Sequence, residues 1–281
     1  MPWFPDFVGA AELARRQLRA EGRADPVAQY LAALGDGDPR ELEGVWPGTV
    51  VIFDPRAGEV RGHAQLRRFV RRNTSWLAER HARIETVAST TVGRRAVVEL
   101  LAHLDDDGRE VAWPVAVVAE SPDDRSVVFR TYCSQWPVDG RRHVRSAVVP
   151  RTDAALDGVV GRHHRAVEAG DVDAVMRTFA RDAYLREPFG PHGAHHGSDA
   201  LREYFTTSFR AGGGIERQPG TVTDDGVRCA VEYTCVRWGS HDLTPQAGVA
   251  VYERGEDDLL TAARIYDDVE PPVETGRRPP E

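Results

Sequence analysis

Lysine is absent: every one of the 36 basic residues is arginine. That excludes Schiff-base chemistry and a phosphate loop, whose lysine reaches the terminal phosphates. Cysteine is scarce, and Cys133, Cys229 and Cys235 form no CxxC pair. Cys229 and Cys235 fall on what reads as one strand, where a rise of about 3.3 Å per residue holds them too far apart for a disulfide. They read as small buried hydrophobes. No apolar run approaches ~18 residues, so no membrane-spanning helix is expected. The opening MPWFPDFVGAAELARR has no basic lead followed by an apolar stretch, so no signal peptide is read and a cytoplasmic location is expected. A formal net charge of -8 argues against a nucleic-acid partner. Arg67, Arg68, Arg71 and Arg72 read as one solvated helix face.

What the chain does contain is itself, twice. Its 281 residues give room for two domains, each with its own core. Val27–Asp38 aligns without a gap on Val160–Asp171, superposing Gly37-Asp38 on Gly170-Asp171. Trp46 then meets Phe179, Asp54-Pro55 meets Glu187-Pro188, and Gly62 meets Gly197 after a small insertion. Near each end, Arg130-Thr-Tyr132 falls on Arg264-Ile-Tyr266. The offset stays close to 133 residues, which a duplication explains.

Each copy starts with an amphipathic helix, marked by Tyr30, Leu31 and Leu34 or by Val159, His163 and Val167. A Gly-Asp turn and a short second helix follow, Pro39 to Trp46 and Val172 to Phe179. A brief strand comes next, Val50–Phe53 or Ala183–Arg186, and then a third helix, about Ala64–Leu77 or Ser198–Phe209. Ser198 is expected to cap that last helix. The final third of each copy is strand-rich: Ala96–Leu104, Val111–Ala119 and Val127–Cys133, then Arg228–Arg237, Ala247–Glu253 and Leu260–Asp267. Helices followed by an antiparallel meander predict an α+β fold, two tandem cones with helices packed on a curved sheet. The concave face is a natural apolar pocket. The expected organisation is an N-terminal arm at 1–24, a first domain at 25–137, a linker at 138–155, a second domain at 156–270 and a tail at 271–281.

The string Tyr30–Asp38, followed by Phe53-Asp54-Pro55, resembles ketosteroid isomerase, within the SnoaL-like and nuclear transport factor 2-like superfamily. There a tyrosine stands seven residues before the turn glycine and a general-base aspartate seventeen after it. Tyr30, Gly37 and Asp54 match both intervals; in copy two they fall on His163, Gly170 and Glu187. The resemblance implies carboxylates of raised pKa acting as acid or base and a hydroxyl stabilising a developing oxyanion. The second oxyanion position falls on Ala116 and Ala250, which cannot donate, so the complete isomerase apparatus is not expected. The tandem layout also resembles the polyether epoxide hydrolase/cyclases of the lasalocid type. That likeness implies Glu187 paired with Glu216, and Asp54 paired with Glu79 or Glu85. SnoaL-like cyclases and limonene-type epoxide hydrolases place a working aspartate late in the fold; here it is Asp267, with Cys133 as its counterpart.

The plain alternatives stand beside these. Asp54 and Glu187 also read as strand-end carboxylates capping a turn, Tyr30 as a core tyrosine, and His163 as a structural histidine. His192, His195 and His196 raise a metal site, but a glycine-rich loop without cysteine favours substrate contacts from His192 and His195 instead. Tyr132, Tyr266, Trp113 and Trp238 complete the expected substrate contacts. Glu99 and Glu232 occupy matched strand positions that could face the cone. The resulting expectation is a cofactor-independent acid/base isomerase or cyclase acting on a hydrophobic polyketide-type intermediate, with epoxide opening as one version. Its halves pack as a pseudo-dimer, with a homodimer as a further option. A non-catalytic binder of apolar small molecules is the alternative.

Overall fold

The computed structural model describes residues 25–106, 108–152, 156–190 and 193–272. The expected arm at 1–24 and the tail from 273 onward lie outside them. Helix α1 (Pro26–Asp36) is set by its ends: the Asp25 carboxylate accepts the Val27 and Ala28 N–H groups, Pro26 opens the first turn, and Gly37 closes the helix at φ 72°. The repeated glycine has a reason here. Gly170 ends α5 (Gly158–Ala169) at φ 70°, and a Cβ on it would sit 2.7 Å from the Gly214 nitrogen. Short helices α2 (Arg40–Val45) and α6 (Val172–Met176) follow. They lead to strands β1 (Val50–Asp54) and β7 (Phe179–Arg186), and past β2 (Gly58–Arg61) and β8 (Ala194–His196) to α3 (His63–Glu79) and α7 (Gly197–Ser208). Ser198 does not cap α7: His196 takes that position without a side-chain bond, and the Ser198 hydroxyl donates to the Arg181 carbonyl.

The remaining strands are β3 (Arg83–Val92), β4 (Arg95–Asp106), β5 (Arg109–Glu120) and β6 (Val127–Tyr132), with the turn α4 (Trp136–Asp139) after them. In the second copy they are β9 (Ile215–Asp224), β10 (Arg228–Trp238), β11 (His241–Arg254) and β12 (Leu260–Tyr266). The sheets run β2-β1-β6-β5-β4-β3 and β8-β7-β12-β11-β10-β9. They are mixed, because β1 pairs β6 and β7 pairs β12 in parallel. The edge strands β3 and β9 escape the sequence pattern. In β9, Pro219 and Gly220 mimic a turn, and an edge strand tolerates that proline.

Strand parity divides the interior in two. On β10, Val231, Tyr233 and Cys235 join the helices in the second cone, while Ala230 faces the other sheet. The two outward faces meet through Val97, Ala116 and Val118 from one side and Val249, Val251 and Ala247 from the other. Glu99 and Glu232 belong to this seam and do not face the cones. Arg130 grips Glu232 through two bonds of 2.6 and 2.8 Å, and the Tyr132 hydroxyl donates to the same carboxylate at 2.6 Å. Arg264 grips Glu99 in the same way at 2.6 and 2.9 Å, with the Tyr266 hydroxyl at 2.8 Å. Both carboxylates are at most 2% exposed. Each Arg-x-Tyr repeat thus binds the other domain's glutamate.

Removing one glutamate leaves its buried arginine with a single, partly exposed carboxylate, Glu120 at 2.9 Å from Arg130 or Glu253 at 3.2 Å from Arg264. Glu99→Ala and Glu232→Ala should each destabilise by up to about 3 kcal/mol in denaturant unfolding. Arg264→Met combined with Glu99→Leu should cost less than Glu99→Ala alone. Equal stability of all these variants would show the seam to be energetically idle.

Candidate active site

In the second cone, Glu187 follows β7 directly, and its N–H donates to the Gly193 carbonyl at 2.9 Å. The chain returns through β8, whose His195 lies opposite Leu185. This turn brings His195 Nε2 to 2.8 Å from Glu187 Oε1, with both residues about nine-tenths buried. Gly193 permits the turn, since a Cβ there would stand 3.0 Å from that of Glu187. The Tyr204 ring lies 4.6 Å from that of His195.

Asp267 follows β12 and is buried. The Tyr233 hydroxyl donates to its Oδ2, and the Val269 N–H donates to Oδ1 at 3.3 Å. Gly248 makes that approach possible: a Cβ there would meet Tyr233 Cζ at 2.6 Å and Asp267 Cβ at 2.8 Å. Burial raises the Asp267 pKa above the usual carboxylate range, against the pull of Arg217. The Arg217 guanidinium stands 5.0 Å over the Tyr233 ring, and its Nε finds no hydrogen-bond partner among the described residues. Burial, and then the charge of Asp267, hold the Tyr233 phenol well above its ordinary value.

His163 has a different role from the one expected. Its Nδ1 is 3.0 Å from Thr178 Oγ1, and that hydroxyl donates to the Val175 carbonyl. Nδ1 must therefore carry the proton. The ring packs on Phe179 and Tyr252, and burial drives its pKa well below the usual value, so it stays neutral. Its neighbour His164 is pushed down to about 3 by burial and by Arg217. Glu216 does not approach Glu187; it binds Arg237 at 2.8 Å. It alternates with Arg217, which turns inward, so the two-carboxylate pairing expected from Glu187 and Glu216 is not assembled.

The first cone is organised differently. Asp54 Oδ1 accepts the N–H groups of Arg56 and Ala57 at 2.9 and 2.8 Å, capping its own turn while it borders the cavity. Tyr30 stacks on Phe129 at 4.6 Å, and burial followed by the nearby Asp54 charge raises its pKa. Trp113 lines the same cavity and donates to the Ser134 carbonyl, as Trp238 does to that of Ser208 in the second cone. Cys133 lines the first cavity in place of Asp267, its thiol pushed up by burial. Tyr132 and Tyr266, expected at the substrate, sit in the seam instead. His192 lies outside the described residues; His196 stacks on Tyr184. Among the described residues no group of three or more His, Cys, Asp or Glu is arranged to hold a metal ion.

The first domain also reaches the second domain's site. Asp268, next to Asp267, accepts the Ser134 hydroxyl at 2.6 Å and the His143 N–H at 2.7 Å. Phe189, in the Glu187 turn, packs on Trp136 at 5.4 Å and under Arg142 at 4.7 Å. Sequence reasoning missed Arg217, Tyr233 and Gly248. Parity along β9 would have exchanged Glu216 for Arg217, but Pro219 and Gly220 hid the strand.

The SnoaL-like domain family matches residues 27–129 and again 160–263. Comparison with curated proteins finds no match. Among solved structures, each covers about one domain. The epoxide hydrolase/cyclase-like enzyme SalBIII, from pyran ring formation in the polyether salinomycin, is 25% identical over 39% of this chain and 87% of its own, at a TM-score of 0.34. An LEH-like epoxide hydrolase of Mycobacterium tuberculosis is 19% identical over 39% and 80%, also at 0.34. Rv0760c of the same organism, solved with estradiol-17beta-hemisuccinate, is 18% identical over 38% and 89%, at 0.33. Matched twice and over most of its length, the chain belongs to the SnoaL-like domain family.

Proposed function

We propose that this chain is a cofactor-independent acid/base isomerase or cyclase for a hydrophobic polyketide-type intermediate, with its chemistry in the second domain. Membership of the SnoaL-like family supports a reaction of this kind. The observation that carries the reading is the buried Asp267, held by the Tyr233 hydroxyl beside Arg217, in the cone that also receives Glu187 and His195. Asp267 is the acid, because burial favours its protonated form. Glu187, oriented by His195, is the base. In epoxide opening, the C–O bond breaks and its electron pair stays on oxygen, which takes the Asp267 proton. The attacking hydroxyl forms the new C–O bond and gives its proton to Glu187. In isomerisation, Glu187 takes an acidic C–H proton, the enolate oxygen is met by Asp267 with Arg217 stabilising the charge, and Glu187 returns the proton to another carbon of the enolate. After epoxide opening, proton exchange with water resets both carboxyls.

A binding role fits the first domain better. Its cavity is apolar, and Asp54 caps its own turn through Oδ1, which accepts two backbone N–H groups. Asp54→Asn should therefore leave turnover unchanged.

Turnover of epoxide-bearing and 1,3-dicarbonyl polyketide-type substrates, followed by mass spectrometry, tests the assignment. Asp267→Asn and Glu187→Gln should each lower kcat by about 100-fold or more. Wild-type rates in both would sink the proposal. Asp267→Asn should also melt higher than the parent at pH 7. The parent's Asp267 has a raised folded pKa, so its ionisation destabilises the fold increasingly as pH rises above the ordinary carboxylate value of about 4. The gap in Tm should close in acid. Gly248→Ala should separate Tyr233 from Asp267 and lose both stability and rate.

A further inference from the structure

The first domain holds a feature that the proposed reaction does not use. Beneath α1 and α3 lies an apolar cavity of about 80 Å³, lined by Tyr30, Phe69, Leu100, Trp113 and Val117. That is several times the space one water needs. Trp76 stands at its mouth, with the Arg56 guanidinium 4.0 Å over its ring and that of Arg80 4.4 Å over it. Outside the mouth runs a groove of about 890 Å³, which shares Asp54, Arg56, Phe69, Asn73 and Trp76 with the cavity wall. Its outer wall carries Arg68, Arg71 and Arg72. These follow helical spacing along one face of α3.

Part of the positive charge there has no ion pair among the described residues. Glu59 in the groove pairs with Arg61 at 2.7 Å, Glu79 lies 3.8 Å from Arg80, and Asp54, capped by backbone N–H groups, keeps its charge beside Arg56. Arg67 turns away to Glu43 at 2.7 Å. Arg68, Arg71 and Arg72 form no ion pair among the described residues. In a chain of net charge -8, three such guanidinium groups beside one apolar mouth form a local anion site.

We propose that the first domain binds an amphipathic anion, its apolar tail entering the cavity past Trp76 and its phosphate or carboxylate lying among Arg68, Arg71 and Arg72. The apolar lining provides affinity for the tail, and the arginine fork geometry provides it for the head. The juxtaposition selects against a neutral ligand of the same shape and against a bare anion.

Isothermal titration calorimetry on the whole chain tests this with octyl phosphate, octanoate, 1-octanol and inorganic phosphate, all as monomers in solution. At least one of octyl phosphate and octanoate should bind one to one, about tenfold or more tighter than 1-octanol, and inorganic phosphate should not register. The tighter of the two anions identifies the head group. Arg68→Ala combined with Arg72→Ala should weaken the anion about tenfold or more and flatten its salt dependence, while 1-octanol stays unchanged. These residues lie on the exposed face of α3, so the variant is expected to fold, and its circular dichroism melt checks that. Equal affinity for 1-octanol and both anions, or an arginine variant that binds as the parent does, would overturn the proposal. So would the absence of binding by every probe.

Discussion

Two buried carboxylates hold the molecule together, and neither is satisfied within its own domain. Glu99 and Glu232 sit in the centre of an apolar seam, where an unpaired charge would be costly to desolvate. Each is neutralised by an arginine and a tyrosine from the opposite sheet. The two clamps are related by the pseudo-symmetry of the duplication, so docking satisfies both together. A sliding or rotated arrangement of the sheets would strand the two anions, whereas Arg130 and Arg264 would keep Glu120 and Glu253 of their own domains. The surrounding valines supply non-directional attraction, and the crossed ion pairs give that attraction a register.

With the outward faces committed to each other, the inward faces are free to diverge. The first cone has an apolar lining, with Cys133 where the second has Asp267. The second holds Arg217, His164 and the buried Tyr233 and Asp267. Burial there displaces ordinary titration in the direction that favours neutral forms: Asp267 upward, His163 and His164 downward. Such displacement is common at acid/base sites, where the proton must be available near neutral pH. The first domain remains involved, since its Ser134 and Trp136 hold the two segments that carry Asp267 and Glu187.

Asp54 and Glu187 illustrate how one sequence position can serve two ends. Both precede proline at the end of a short strand. In the first copy the next residues turn back on the carboxylate and cap it. In the second copy Gly193 lets the chain return close enough for His195 to reach the carboxylate. The insertion that shifts the repeat between these positions and the third helix is what makes the difference.

The sequence by itself determined the duplication, the α+β class and the order of nearly all elements. These depend on local period, on turn glycines such as Gly37 and Gly170 that need a positive φ, and on intervals that survive divergence. It also offered Asp267 and Glu187 as catalytic candidates and His195 as a substrate contact, beside Asp54, Tyr30, His163 and Glu216. Tertiary structure alone decided which face each strand residue takes. Glu99, Glu232, Tyr132 and Tyr266 have the same period-two signal whether they line a cone or a seam, and only the partner sheet distinguishes the two. Arg217 and Glu216 are neighbours whose roles are exchanged by a single step of parity, in an edge strand that Pro219 disguises as a turn. Side-chain period is local, whereas burial, and with it pKa and chemistry, is fixed by what lies across the interface.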